Sequence, residues 1–272
     1  MKKLAYILPL VLLLTACSKD NSIDLVSRED GSGTRTAFTE ITEVKKDGID
    51  RTFEEAVIQN STDAVMTIIE KDLNAIGYIS LGSLNNTVKP VKIENVEPTV
   101  KNIENGRYKL TRNFILLYNS NLSEKEKDFL KFINSKQGQA IVKEEGYVPV
   151  KSNYNYKGIN NRDNITIAGS TSVTPLMEKL VEGYKRFNPG FNADIQSTGS
   201  SAGIKAVMDK SVEFGMSSRE LKDDELKLNN QIIAKDGIIV IVNNKSKINY
   251  LSVDEVKKIF TGDIKSWDAD EK

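Results

Sequence analysis

The sequence lacks histidine altogether, contains one cysteine and one tryptophan, and carries no net charge. Histidine is the most common metal ligand and supplies general acid–base catalysis, so its absence disfavours a metalloenzyme. Lysine plus arginine and aspartate plus glutamate both number 38, so no overall field attracts nucleic acid or an acidic membrane surface. A single cysteine excludes an intramolecular disulfide. We expect no metal, no cofactor and no nucleic-acid partner.

An apolar run at residues 4–14 follows two lysines near the start of the sequence. This run is too short to span a bilayer but suits the hydrophobic region of a secretory signal. The Leu-Thr-Ala-Cys segment that ends at Cys17 resembles the lipobox of bacterial lipoproteins. We therefore predict that residues 1–22 form a lipoprotein signal peptide and tether, with Cys17 as the lipid anchor. The alternative is an ordinary signal peptide with an incidental cysteine.

With 272 residues, 39% of them hydrophobic, the chain can form one large domain or two lobes. One local pattern occurs three times: a short strand, a loop of glycine and hydroxyl residues, and the start of a helix. The loops are residues 28–34, 169–174 and 197–203. Free backbone N–H groups and the helix dipole favour an anion at such positions. Hydroxyl groups add donors, and Arg28 supplies a planar fork that matches an oxyanion.

Each loop taken alone is typical of an ordinary turn and helix cap. None of them contains the phosphate-binding loop pattern of nucleotide-binding proteins or a complete dinucleotide fingerprint. Together they predict a cage for a small oxyanion. The helix after the second loop is amphipathic, and its predicted buried face requires a sheet beneath it. That face comprises Leu176, Leu180, Val181, Tyr184 and Phe187.

Segments at residues 27–35, 168–173, 197–203 and 214–221 resemble those of the substrate-binding protein of bacterial phosphate ABC transporters. The likeness covers nearly everything after residue 22. The resemblance implies an α/β fold of the type II periplasmic-binding-protein class, in which two lobes are joined by crossing strands. Further similar segments lie at residues 76–80, 146–150 and 257–267.

The order of these segments is exchanged relative to the family, in which the segment that begins near Ile165 comes first. We therefore predict a circular permutation, in which the old termini are joined through the linker 151–164. The alternative is a junction between two gene copies, which would leave two half-proteins. In the family arrangement, one lobe comprises residues 23–105 plus 246–272 and carries the loop from Arg28 to Thr34.

The other lobe comprises residues 106–245, includes the linker, and carries the loops of Thr171 and Ser200. The crossing strands correspond to residues 108–118 and 237–243.

The resemblance implies that Asp30 holds the arginine of the cage. Many family members place an aspartate where this chain has Ser218, so the acceptor for a phosphate proton is either Ser218 or Asp30. The implied ligand-binding residues are Arg28, Asp30, Ser32, Gly33, Thr34, Thr171, Ser172, Ser200 and Ser218.

The resemblance implies an extracytoplasmic, lipid-anchored receptor that captures inorganic phosphate between its lobes and delivers it to membrane permease subunits. We expect a monomer and no catalytic residues. Closure of the lobes would be a hinge motion. The alternatives are a receptor for another oxyanion such as sulfate or molybdate, a phosphate sensor, and a lipid-anchored phosphatase or hydrolase that uses a loop serine.

Overall fold

The computed structural model describes residues 21–267. Cys17 and the predicted signal segment up to residue 20 lie outside the described residues. The helices of the described part are α1 (Gly33–Ile41), α2 (Thr62–Lys71), α3 (Val100–Glu104), α4 (Glu124–Ile133), α5 (Lys136–Glu144), α6 (Thr174–Phe187), α7 (Ser200–Met208) and α8 (Val253–Phe260), with a 3₁₀ turn at Leu81–Ser83. The strands are β1 (Asp24–Arg28), β2 (Lys45–Lys46), β3 (Ile49–Asp50), β4 (Val57–Gln59), β5 (Ala75–Ser80), β6 (Val88–Pro90), β7 (Lys92–Ile93), β8 (Thr111–Tyr118), β9 (Val148–Pro149), β10 (Asn164–Gly169), β11 (Asn192–Ser197), β12 (Phe214–Ser217), β13 (Asn229–Asn243) and β14 (Tyr250–Leu251).

A mixed sheet in the order β11-β10-β12-β8-β13-β5-β1-β4 runs through the molecule. At one end, β10 is parallel to β11 and β12, and at the other end β1 is parallel to β4 and β5. Between them, β13 pairs antiparallel with both β8 and β5. The predicted α/β class is therefore confirmed, and β13 is the strand that connects the two ends of the sheet.

Two hydrophobic cores lie on either side of this connection. The first core includes buried apolar residues of β1, β5 and α8, and the second includes Ile165 and Ile167 of β10 together with buried apolar residues of α6. Ile238 and Val242 of β13 pack in the first core, whereas Ile233 and Ala234 pack in the second. The change from one core to the other therefore lies within β13, between Ala234 and Ile238, beside the crossing segment 237–243 that the sequence predicts.

Helix α6 shows how the sequence pattern specifies packing. Leu176, Leu180 and Tyr184 are fully buried, as the helical spacing predicts. Phe187 is 39% exposed, so its predicted burial is wrong. It is the last residue of the helix, where the core no longer covers the apolar face.

The linker between the two halves of the chain is anchored although residues 151–163 have no regular secondary structure. Tyr156 is 2% exposed and its hydroxyl donates to the carboxylate of Asp128. The side-chain amide of Asn188 donates to the Tyr156 hydroxyl at 2.8 Å. These buried polar contacts fix the linker against α4 and α6. Within residues 21–267, no helix has the length and apolar character needed to cross a membrane.

Candidate anion-binding site

Loops at the carboxyl ends of the parallel strands meet in one place. Strands β1 and β4 lead into α1 and α2, and β10 and β11 lead into α6 and α7. Since parallel strands end at the same edge of a sheet, four helix N-termini are brought to the same side. The positive ends of the helix dipoles and their free N–H groups favour an anion there.

Arg28 lies at the end of β1 and is 2% exposed. Its Nε and Nη2 donate to the two carboxylate oxygens of Glu29 at 2.8 and 2.9 Å, which fixes the plane of the guanidinium. Nη2 also donates to Thr171 Oγ1 at 3.0 Å. Because Thr171 follows β10, this hydrogen bond joins the two ends of the sheet across the site. The arginine is thus held in a buried, oriented position.

Hydroxyl groups from the two ends of the sheet are in direct contact, because Thr34 Oγ1 and Ser172 Oγ lie 2.8 Å apart. Within the β10–β12 end, Ser170 Oγ donates to Ser218 Oγ at 2.8 Å. Ser200 Oγ accepts from the backbone N–H of Ser218 at 3.1 Å. All five residues are buried. They form one buried polar cluster, in which each hydroxyl can rotate to donate to a ligand or to accept from it.

Glycine at position 33 allows the first turn of α1 to approach this cluster. A Cβ atom at Gly33 would lie 2.3 Å from Ser200 Oγ and 2.7 Å from Ser218 Oγ. No side chain fits at such distances without displacement of its neighbours. The backbone of α1 is therefore in contact with the hydroxyl groups of the opposite lobe.

Two of the helices that begin at the site differ from the other helices of the described chain. A serine or threonine side chain caps the N-terminus of α1, α2, α3, α4, α5 and α8. The N-cap residues of α6 and α7 are Val173 and Gly199, which make no such side-chain hydrogen bond. The first N–H groups of these helices are therefore not covered by their own cap side chain.

A buried ion pair supports the site from behind. Arg112 of β8 contacts Asp236 of β13, with Nε and Nη2 at 3.0 and 2.9 Å from Oδ2. Ser80 Oγ donates to Oδ1 of the same aspartate at 2.9 Å. Arg112 Nη1 donates to the carbonyl of Ser218 at 3.3 Å. The pair therefore connects the crossing strands with both lobes and with the hydroxyl cluster.

Tyr78 supports the Arg28 side of the site. Its ring stacks on Phe38 with centroids 3.9 Å apart, and its hydroxyl lies 2.8 Å from Ser27 Oγ. The backbone N–H of Arg28 donates to this hydroxyl at 3.3 Å. Burial raises the pKa of Tyr78 to about 12, so the phenol stays neutral and fixes the end of β1.

The structure brings together Arg28, Thr34 and the hydroxyl residues of the second lobe that the sequence predicts for the site. Ser32 caps α1: its Oγ accepts a hydrogen bond from the backbone N–H of Arg35 at 3.3 Å, so this oxygen is engaged by the helix. The predicted role of Asp30 in holding Arg28 is wrong. Glu29 holds the arginine, whereas Asp30 is exposed and accepts from the N–H of Gly31 at 3.0 Å.

Two hydroxyl residues at the site, Thr62 and Ser170, are absent from the ligand-binding residues that the resemblance implies, although Ser170 lies in one of the predicted loops. Thr62 at the start of α2 is buried, and its Oγ1 lies 3.3 Å from Ser172 Oγ. Ser170 contacts Ser218 as described above. The segment before α2 repeats the pattern of strand, hydroxyl residues and helix, because Ser61 and Thr62 follow β4 after one intervening residue. It contains no glycine, which is why it does not stand out in the sequence.

The model of the PBP superfamily domain matches residues 16–137 and 156–272 of this sequence. The chain belongs to the PBP superfamily. It is 46% identical over 257 residues to phosphate-binding protein PstS 2 of Streptococcus pneumoniae serotype 4, covering 92% of this chain and 88% of that relative. It is 44% identical over 269 residues to PstS 2 of Streptococcus agalactiae serotype V, covering 94% of this chain and 92% of the relative.

Among solved structures, the fold is similar to the crystal structure of a phosphate ABC transporter phosphate-binding protein from Streptococcus pneumoniae TIGR4. The TM-score is 0.73 at 46% identity, with 90% of this chain and 98% of that chain covered. The PBP fold predicted from the sequence is thereby confirmed.

Proposed function

We propose that this PBP-superfamily chain is the extracytoplasmic receptor of a phosphate ABC transporter. It captures inorganic phosphate between its lobes and delivers it to membrane permease subunits. The observation that carries the proposal is the convergence of Arg28 with hydroxyl groups from both lobes in one buried cluster. A desolvated tetrahedral anion needs a charged partner and several donors, and this cluster offers both. The PstS 2 relatives are named phosphate-binding proteins, and the similar crystal structure is that of a phosphate ABC transporter's phosphate-binding protein.

In this proposal, Arg28 neutralises the anion, and Thr34, Thr171, Ser172, Ser200 and Ser218 exchange their mutual hydrogen bonds for bonds to its oxygens. The backbone of Ser32 and Gly33 approaches from α1. The N-terminus of α7, which has no side-chain cap, adds N–H donors. Asp30 lies at the rim. The chain acts as a monomer that closes by a hinge motion at β8 and β13.

The hydrolase alternative has no support in the contacts of the loop serines. The hydrogen bonds recorded for Ser172, Ser200 and Ser218 within residues 21–267 go to other hydroxyl groups or to the backbone and Arg112. A nucleophilic serine needs an adjacent base, and none of these partners can act as one. We therefore infer that the protein binds its anion without turnover.

Titration calorimetry with inorganic phosphate tests this function directly. We expect saturable binding of one phosphate per chain and no release of phosphate from a model phosphate ester. The absence of a binding signal under conditions where the protein is folded would contradict the proposal. Ester hydrolysis well above the buffer rate would support the hydrolase instead.

Replacement of Gly33 by alanine should weaken phosphate binding. The added Cβ overlaps Ser200 Oγ and Ser218 Oγ, so the lobes cannot close to the same separation. Overpacking of this kind costs about 1–3 kcal/mol, which corresponds to about five- to 150-fold in affinity. The measurement is the dissociation constant for phosphate, with Glu40→Ala on the exposed side of α1 as the matched control. Equal phosphate affinities of Gly33→Ala and Glu40→Ala would show that closure does not bring α1 to the ligand.

Lipid anchoring through Cys17 is part of the same proposal. Cells that express the chain should incorporate a labelled fatty acid into it and retain it in the membrane fraction. The Cys17→Ser variant should lose the label and leave the membrane, because two or more acyl chains supply the membrane affinity. Ser18→Ala serves as the matched control. Membrane retention of the unlabelled Cys17→Ser protein would contradict the assignment.

A further inference from the structure

The loop after β1 makes a tight turn that directs one carbonyl group to the other end of the sheet. The backbone N–H of Ser32 donates to the carbonyl of Glu29 at 3.2 Å, which closes a four-residue turn. Gly31 is the third residue of this turn and has a φ of +88°. A type II turn requires a positive φ at this position, and glycine adopts it without strain. The Gly31 carbonyl accepts from the backbone N–H of Ser201 at 3.2 Å.

The donor of this hydrogen bond belongs to the start of α7. Ser201 is the second residue of the helix, and the N–H groups of a first helical turn have no partner within the helix. The N-cap residue Gly199 lies close to the same turn, since a Cβ atom there would be 3.6 Å from Glu29 Oε1 and 3.9 Å from the Gly31 oxygen. The turn after β1 and the start of α7 are therefore in contact through their backbones.

A buried ion pair holds Ser201 from the opposite side. Arg219 is buried, and its Nη1 and Nη2 donate to the two carboxylate oxygens of Glu225 at 2.7 and 2.8 Å. Nη2 also donates to Ser201 Oγ at 3.4 Å. The backbone N–H of Lys222 donates to Glu225 at 2.8 Å. The loop after β12 thus fixes the start of α7 from which the Ser201 N–H projects.

The Gly31–Ser201 hydrogen bond differs from the contacts of the cage. Arg28 with Thr171 and Thr34 with Ser172 join the same two ends of the sheet through side chains. In the proposed function those side chains exchange their mutual hydrogen bonds for bonds to the anion. The Gly31–Ser201 bond uses backbone groups that the proposed function does not assign to the anion. It can therefore persist while the anion is bound.

We propose that the Gly31–Ser201 hydrogen bond is a latch that forms when the lobes close and that sets how fast the bound anion leaves. The inference rests on the proposed function, since it requires capture of phosphate by closure of the lobes. A bond that forms after the anion has entered does not affect the encounter. Loss of the latch therefore raises the dissociation rate and leaves the association rate unchanged.

The matched variants Ser201→Pro and Ser201→Ala test the latch. Both remove the hydroxyl that contacts Arg219, but only proline also removes the backbone N–H. Proline is compatible with the first turn of a helix, and Pro175 occupies the same second position in α6. Phosphate should leave Ser201→Pro about tenfold faster than the wild type, because the closed form loses one hydrogen bond. Release from Ser201→Ala should stay within about threefold of the wild-type rate.

Stopped-flow mixing of the phosphate-loaded protein with an excess of a fluorescent phosphate sensor gives the release rate. Titration calorimetry gives the dissociation constant, and the two values together give the association rate. Equal release rates in Ser201→Pro and Ser201→Ala overturn the inference but leave the proposed function intact. Weaker binding of Ser201→Pro that arises from slower association also overturns it. A folded wild type that binds no phosphate overturns the proposed function and the latch together.

Amide hydrogen exchange in the wild type decides the question if Ser201→Pro does not fold. Lys125 provides the control, because it is the second residue of α4 and is exposed. In saturating phosphate, the Ser201 N–H should exchange at least about tenfold more slowly than the Lys125 N–H, after correction for their intrinsic rates. Equal exchange of the two N–H groups would overturn the latch.

Discussion

Replacement of Arg28 by alanine is expected to abolish measurable phosphate binding at concentrations that saturate the wild type. Arg28 is buried, and Glu29 and Thr171 fix its orientation. Truncation of one partner of a buried charged pair costs about 2–5 kcal/mol, or about 30-fold to several thousandfold in affinity. Arg28→Lys keeps the charge but loses the planar guanidinium group. Its affinity for phosphate should therefore lie between that of the wild type and that of Arg28→Ala.

The matched control is Arg186→Ala, since Arg186 is an exposed arginine of α6 that forms an ion pair with Glu182 on the same helix. Its phosphate affinity should equal that of the wild type. Removal of Arg28 also leaves Glu29 without its partner, and this negative charge would itself repel phosphate. The double variant Arg28→Ala, Glu29→Gln separates the two effects. Phosphate affinity in the double variant close to that of the wild type would show that Arg28 is not the anion's partner.

The position of the site could be predicted from the sequence because its chemistry is local to each loop. A strand that ends in glycine and hydroxyl residues before a helix places donors at one sheet edge, whatever the strand order. The loops of Arg28, Thr171 and Ser200 follow this rule and meet in the structure. The exchanged order of the two halves stays a prediction, and the anchored linker around Tyr156 is compatible with it.

Side-chain pairing could not be predicted in the same way. Glu29 and Asp30 are adjacent acids, and only the fold shows that the longer side chain reaches back to Arg28 while Asp30 bonds within its own turn. Arg112 and Asp236 are separated by 124 positions, so their contact depends on the pairing of β8 with β13. Such contacts arise from tertiary structure, which a local pattern does not contain.

Replacement of Asp236 by alanine is expected to lower the free energy of unfolding by about 3–5 kcal/mol, because it leaves the buried Arg112 without its counter-charge. Burial raises the pKa of Asp236, whereas Arg112 and Ser80 oppose this shift by stabilising the carboxylate. The measurement is urea unfolding of the folded protein. Asp254→Ala, which breaks an exposed pair with Lys258, should change the free energy of unfolding by less than about 1 kcal/mol.

The loss in Asp236→Ala should extend to the site, because Arg112 also donates to the carbonyl of Ser218. An arginine that loses its partner in the core moves toward solvent, and this movement removes the support of the hydroxyl cluster. We therefore expect weaker phosphate binding in Asp236→Ala and an unchanged affinity in Asp254→Ala. The double variant Arg112→Met, Asp236→Leu removes both charges and should recover much of the stability, since isolated burial of one charge is the main cost. Equal stability of Asp236→Ala and Asp254→Ala would mean that the crossing strands do not depend on this pair.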